Sequence, residues 1–471
     1  MSYDLYWRYK VMFIIFRFFN WIGDITNTII LTPNPYAVGN AAEEIYFGLL
    51  KARRLQRRLI FLFPYELPWK LRFRLININL FDIDSKYLLR LPWIVNRIAR
   101  LLITIIYGIN KITGMMLRRI LNSGLFRSDL YNIPLLGVMT LWQPRCRMAD
   151  FFWGIVDAYT WPEQIKNSLE VRPHEKILES EPGLREKIGL PSDAWYVCLH
   201  VRESGFHNDK ASERNASIAN YIPAIKEITD RGGWVVRLGD PTMKKLPTLN
   251  QVIDYPFTSA KSPEMDMLLI SGCSLYIGMT SGIYDLAILF GRPIILTNMS
   301  SWLFGLPPKK VDVCLLKHIY SKKHKRFLSV KEWLMEPWES MSYRTIGDNY
   351  ILYENSKEEI HLAVKEYFNR CENWSPSSLQ ELFQANRIDS GKKILSKQIF
   401  AGTSPQQEYT NIVDNPFDND FHLYDMLERY RLASRLESTG GLIDHNYLQA
   451  NWDQDSMLLD CEIDFDGNHQ K

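Results

Sequence analysis

The sequence predicts an α/β protein of two Rossmann-like domains facing a cleft, with extra helices at the N-terminus and a C-terminal extension. Three observations predict it. Apolar strand-like runs alternate with helical stretches through residues 195–298, joined by short connections, which argues a parallel sheet covered on both faces. Residues 28–63 read as a strand, a glycine-bearing loop, a helix and a second strand. Small or charged residues gather where the strands end, and ligands of such sheets bind beyond the carboxyl ends. The expected boundaries are 1–27, 28–185, 186–370 and 371–471.

In chain order, residues 5–19 are apolar and aromatic but are interrupted by Arg8, Lys10 and Arg17. The run falls well short of the ~20 residues that span a bilayer, and no small-residue cleavage site follows. It reads as a basic amphipathic helix on an anionic membrane surface, or as a buried core helix. Residues 28–32 form a β-branched strand, the next helix turns Ile45, Leu49 and Ala52 to one face, and residues 59–63 form a second strand. Residues 86–127 interleave apolar residues at helical spacing with Arg90, Arg97, Arg100, Arg118 and Arg119. Such a segment either lies on a membrane or anionic acceptor, or solvates its arginine face.

Strands are then expected at 195–201, 233–239, 251–255, 274–279 and 293–298, and helices at 218–231, 265–272 and 281–291. From about residue 375 the chain is rich in Ser, Gln, Asn and Asp. A helix is expected at 423–437 and an acidic, frayed end at 453–471.

With 471 residues, 46% hydrophobic and 23% charged, the chain can bury a sizeable core without a disulfide or metal staple. Its net charge of +3 gives no signal for nucleic acid. The charge is uneven, with about +11 over residues 1–130 and about −10 over 401–471. Cys146, Cys198, Cys273, Cys314, Cys371 and Cys461 show no C-x-x-C spacing and no histidine cluster, so buried thiols in a reducing compartment are expected rather than zinc or disulfides.

Four constellations carry candidate chemistry. His200 and Arg202 end the first strand of the second half and point the same way. Arg202 offers a planar fork suited to a diphosphate, and Glu203, His207 and Asp209 follow in the loop. Arg237, Gly239 and Asp240 end the next strand. Arg237 is either a ligand cation or one half of an ion pair, with Asp240 as a partner in reach; Asp240 either bonds a ribose or caps a turn. Thr280, Ser281 and Gly282 open a helix whose unpaired N–H groups favour an anion, or else simply cap it. Gly39 and Asn40 open a helix in the first domain. Glu43 or Glu44 beyond them is a candidate general base, as are His207 and Asp209 of the loop after Arg202, or else the glutamates are carboxylates favoured by the helix dipole. The loops match neither G-x-x-x-x-G-K-[ST] nor G-x-G-x-x-G.

The set H-V-R (200–202), R-N-A-S-I-A-N-Y (214–221), G-W-V-V-R-L-G-D-P (233–241) and G-M-T-S-G (278–282) resembles bacterial glycosyltransferases encoded in gene clusters for lipopolysaccharide, capsule and other surface polysaccharides. More distantly, the Val38–Gly39–Asn40 loop and the His200/Arg202 strand end are similar to those of protein O-fucosyltransferases, which have the GT-B fold of two facing Rossmann domains. The resemblance implies that Arg202 grips the donor β-phosphate with help from Ser281 and Gly282, that catalysis needs no metal or cofactor, and that transfer is inverting. It implies a nucleotide-sugar donor and a glycan or lipid-linked acceptor, and the amphipathic segments add contact with the inner face of the cytoplasmic membrane. Glu203 after the arginine departs from the pattern, so fucose does not follow. The same scaffold would also serve another nucleotide-sugar-processing enzyme, or a noncatalytic member of a glycan-assembly complex.

Overall fold

The computed structural model describes residues 21–65 with short interruptions, 82–105, 169–203, 214–300, 306–335, 349–396 apart from 371 and 372, and 440–453. The expected helices at 5–19 and 423–437, the acidic end beyond 453, and His207 and Asp209 lie outside the described residues.

The first unit forms as its pattern predicts. Strands β1 (Thr28–Leu31) and β2 (Arg58–Phe61) pair in parallel, Thr28 opposite Arg58 and Leu31 opposite Phe61, and helix α1 (Val38–Arg54) connects them. Ile45, Leu49 and Ala52 are fully buried, one face of α1 at i, i+4, i+7. Burying a side chain of this size contributes about 1.5–3 kcal/mol. Among the described residues this domain holds one such unit, extended by a parallel bridge from Leu59 to Leu88, and the short strands β3 (Ile83–Asp84) and β4 (Arg172–Pro173) pair antiparallel after it.

The second half builds a seven-stranded sheet, parallel throughout. Its strands are β5 (Tyr196–His200), β6 (Trp234–Arg237), β7 (Val252–Asp254), β8 (Leu275–Gly278), β9 (Ile294–Met299), β10 (Val313–Leu316) and β14 (Leu442–Ile443). In space they run β14-β10-β9-β8-β5-β6-β7. The six consecutive strands therefore take the 3-2-1-4-5-6 order of doubly wound nucleotide-binding sheets. β5, β8, β9 and β10 are buried at every residue, as expected of strands covered on both faces.

The covering helices start where local chemistry permits. Helix α2 (Ile222–Asp230) carries proline in its first turn and buries Ala224, Ile225 and Ile228. Helix α3 (Pro263–Gly272) is capped by Ser262, whose hydroxyl accepts from Met265 N, and it carries the chain back across the sheet from β7 to β8. Helix α4 (Gly282–Leu289) follows β8 and packs against α1. Helix α5 (Lys357–Asn369) opens with a Ser356–Glu359 capping box and packs on α2. A three-stranded antiparallel sheet, ordered β12 (Arg326–Phe327), β11 (His318–Ser321) and β13 (Tyr350–Tyr353), follows β10 in the chain and was not expected.

The boundary expected at residue 371 does not separate an extension from the sheet. Helix α6 (Ser378–Ser396) and helix α7 (His445–Asn451) pack together, and Leu442 and Ile443 pair in parallel with Val313 and Cys314 as the sheet's seventh strand. Cys198, Cys273 and Cys314 are buried free thiols, as expected; the other cysteines lie outside the described residues.

Candidate functional site

In the seven-stranded sheet the strand order reverses between β5 and β8, which run side by side with His200 opposite Gly278 at their carboxyl ends. A crevice opens at such a switch point because the connections leave its two strands in opposite directions. Two of the four constellations lie there, and a third reaches it from the first domain.

His200 is buried and its Nδ1 lies 3.2 Å from Ser281 Oγ. Burial, reinforced by the charges of Arg237 and Arg202 and opposed by Asp240, pushes its pKa down to about 4. The ring is therefore neutral near pH 7 and can accept or donate, but it adds no charge. Ser281 is the residue before α4, yet its hydroxyl caps no helical N–H and turns to His200 instead. The Ser281 side chain thus caps none of the first-turn N–H groups of α4, although its carbonyl accepts from Tyr284 N at 3.1 Å, and Thr280 is half-buried beside them.

The start of α1 meets the start of α4. A Cβ at Gly39 would overlap the Gly282 Cα and lie 2.6 Å from Asp285 Oδ2; a Cβ at Gly282 would lie 3.1 Å from Gly39 N. Each helix N-terminus carries roughly half a positive charge, so two like poles are held in contact. Asp285, in the first turn of α4, sets its carboxylate against Gly39 and offsets part of that charge. Arg202, two residues beyond β5, is buried and acts electrostatically on His200. Its carbonyl accepts from Ala216 N at 3.0 Å. Arg202 and the two helix starts are the positive groups of this edge, and helix starts suit an anion.

Other expectations need correction. Arg237 is fully buried and internally committed: Nη2 donates to Glu203 Oε2 at 2.9 Å, and Nη1 to Asp254 Oδ1 at 3.2 Å and to the Lys244 carbonyl. It presents no surface to a ligand. Glu203 also accepts from Lys244 N and Asp254 from Leu246 N, so the trio fixes the 240–246 loop. Asp240 closes its own turn, accepting from the backbone N–H and hydroxyl of Thr242, rather than pairing with Arg237. Gly239 takes φ +146°, where a Cβ would also strike Met243. Helix α1 begins at Val38, so Glu43 and Glu44 lie in its second turn rather than its first. Both are buried; Glu44 has no exposed surface and Glu43 keeps 9%. Of Asn40 only the backbone is described.

Two cations near this edge were missed. Lys261 sits over the Tyr255 ring, pairs with Asp266 and acts on His200. Lys317 follows β10, and its Nζ donates to the Asn215 carbonyl at 2.9 Å. A lysine directly after the apolar run V-C-L-L is the same signal that marked Arg202, and it could have been read.

No protein-family model matches the sequence, and no curated protein matches it. Solved structures similar to this chain include the E. coli ADP-heptose lps heptosyltransferase II, at 16% identity over 57% of this chain and 84% of that one, with TM-score 0.33. A glycosyl transferase family 9 protein from Veillonella parvula DSM 2008 gives 13% identity over 57% and 80%, with TM-score 0.31. A Methanocaldococcus jannaschii UDP-GlcNAc 2-epimerase gives 12% identity over 74% and 94%, with TM-score 0.26.

Proposed function

We propose that the chain is a glycosyltransferase that moves a sugar from a nucleotide-diphospho-sugar to a hydroxyl of a surface glycan or lipid-linked acceptor, with inversion and without a metal ion. One observation carries the reading: at the β5/β8 switch point two helix starts touch, Gly39 to Gly282, beside Arg202 and the His200–Ser281 pair. A pyrophosphate is the ligand that such a spot fits, because its charge is matched by dipole ends and a guanidinium fork.

In the proposed reaction the acceptor oxygen attacks the anomeric carbon. The carbon–oxygen bond to the β-phosphate breaks, and the nucleoside diphosphate leaves with the bonding electrons. Arg202 and the α1 and α4 N–H groups take up the charge that develops on it. Donors of this kind are worth about 10²–10³ in rate each. The acceptor proton passes to a base; Glu43, one turn beyond Gly39, is the candidate on the described chain that keeps some exposure. Neutral His200 orients Ser281 toward the phosphate.

Calorimetric titration with a panel of nucleoside diphosphates and their sugars tests the reading. Binding of one diphosphate is expected, weakened at least about tenfold by Arg202→Ala, the loss of one charge-assisted hydrogen bond. Absence of binding by every nucleoside diphosphate, or equal binding by the variant, would remove the assignment.

A further inference from the structure

The helix over residues 93–105 turns its apolar side to water. Trp93, Ile94, Ile98, Leu101, Leu102 and Ile105 are 48–65% exposed, and the last five fall on one face at i, i+4, i+7, i+8, i+11. The opposite side is anchored. Ile103 is buried, Thr104 Oγ1 accepts from Tyr65 N at 2.6 Å, and Arg100 Nε donates to the Phe63 carbonyl at 3.2 Å with its guanidinium 4.1 Å over the Tyr65 ring. A soluble helix makes the reverse choice, and an apolar face this large on the surface marks an interaction site.

We infer that this face docks on an anionic phospholipid surface. Charge complementarity decides the occupant. Arg97 borders the face and residues 51–130 carry a net charge of about +12, while Lys86 is paired with Glu170, Arg90 with Asp82 and Asp84, and Arg100 holds the anchored side. Arg97 stacks 4.1 Å over the ring of Trp93 at the helix start, an amphipathic pair suited to headgroup depth. A second copy of the chain would bring two such basic regions together against their repulsion, whereas acidic headgroups neutralise them while the apolar side chains enter the acyl boundary. Among the described residues no helix is long and apolar enough to cross a membrane.

The helix rests on residues 63 and 65, just beyond the carboxyl end of β2, and α1 starts beyond the carboxyl end of the parallel strand β1. The docked face and Gly39 therefore lie off the same edge of the first sheet. That the acceptor is itself carried in the membrane rests on the glycosyl-transfer reading; lipid binding does not.

Flotation of the full chain with vesicles of equal parts phosphatidylglycerol and phosphatidylcholine, against phosphatidylcholine alone, tests the inference. Binding is expected to favour the anionic vesicles by at least about tenfold, to weaken with salt and with Arg97→Glu, and to vanish in the pair Ile98→Ser and Leu102→Ser at an unchanged melting temperature. Indifference to headgroup charge, or binding unaffected by the serine pair, overturns it. So does a dimer dissolved by the serine pair, which would assign the face to a second copy. Slow maleimide labelling of Ile98→Cys in the lipid-free protein also overturns it, because the chain would then cover the face itself. Nucleoside diphosphate binding is measured on the same variants and is expected to be unchanged, which separates failure here from failure of the transfer reading.

Discussion

Gly39 and Gly282 meet backbone to backbone, although they lie in different sheet units and 243 positions apart in the chain. Neither has a side chain to separate the helices they begin. The two substitutions are unequal, because a Cβ at Gly39 overlaps the Gly282 backbone whereas one at Gly282 comes only to 3.1 Å from Gly39 N. Gly39→Ala is expected to cost about 1–3 kcal/mol in stability and to abolish diphosphate binding; Gly282→Ala should cost less in both. Thermal melts and calorimetry on the two variants give the order, and a reversed order would mean that the contact is not the binding element.

Arg202 and Arg237 separate binding from stability. Arg237→Ala leaves Glu203 and Asp254 without their shared cation in the interior, which is expected to cost about 3–5 kcal/mol in urea unfolding. Arg202 is buried and has a partner of its own, so Arg202→Ala is expected to cost some stability, though less than Arg237→Ala, while it removes diphosphate affinity. Equal losses of stability would make Arg202 a structural residue.

His200 gives stability an acid limit. Its folded pKa, about 4, lies below the ordinary value near 6.5, so as pH falls the unfolded chain takes the proton first. The contribution is complete above about pH 6.5 and is lost toward pH 4, about 3 kcal/mol in all. His200→Gln should flatten that part of the pH profile of urea unfolding.

Asp444 gives a limit of opposite sign. It is buried, accepts from Tyr447 N at 2.8 Å and faces Glu366; burial first, then the second carboxyl, raise its pKa. The folded chain keeps a proton that the unfolded chain has already released, so this contribution is present at acid pH and is lost as pH rises past the ordinary aspartate range. Asp444→Asn retains the acceptor for Tyr447 and offers Glu366 a permanent donor. The variant should match wild type in mild acid and exceed it by at least about 1 kcal/mol at alkaline pH. A variant weaker at every pH would remove the shared proton.

Strands with continuous apolar runs, such as β8 and β9, were legible to within a residue or two, because burial on both faces leaves a dense local signal. The two-residue strand β14 was not, since Leu442 and Ile443 take their strand character from Val313 and Cys314 rather than from their neighbours. The site divides the same way. His200, Arg202 and Ser281 each announced themselves at a strand end, but the pairing of His200 with Ser281 is a fact of topology. Arg237 shows the limit. Its cost in an apolar strand is visible in sequence, yet the nearest carboxylate, Asp240, is consumed by its own turn, and the real partners lie at Glu203 and Asp254.

The seventh strand reaches the sheet some 125 positions after the strand it joins. During synthesis the outer edge of β10 stays bare while that intervening chain emerges, offering its unpaired amides to any extended neighbour. A product truncated before residue 440 inherits that edge permanently, so shortened forms should associate edge to edge even where the β5/β8 switch point is whole.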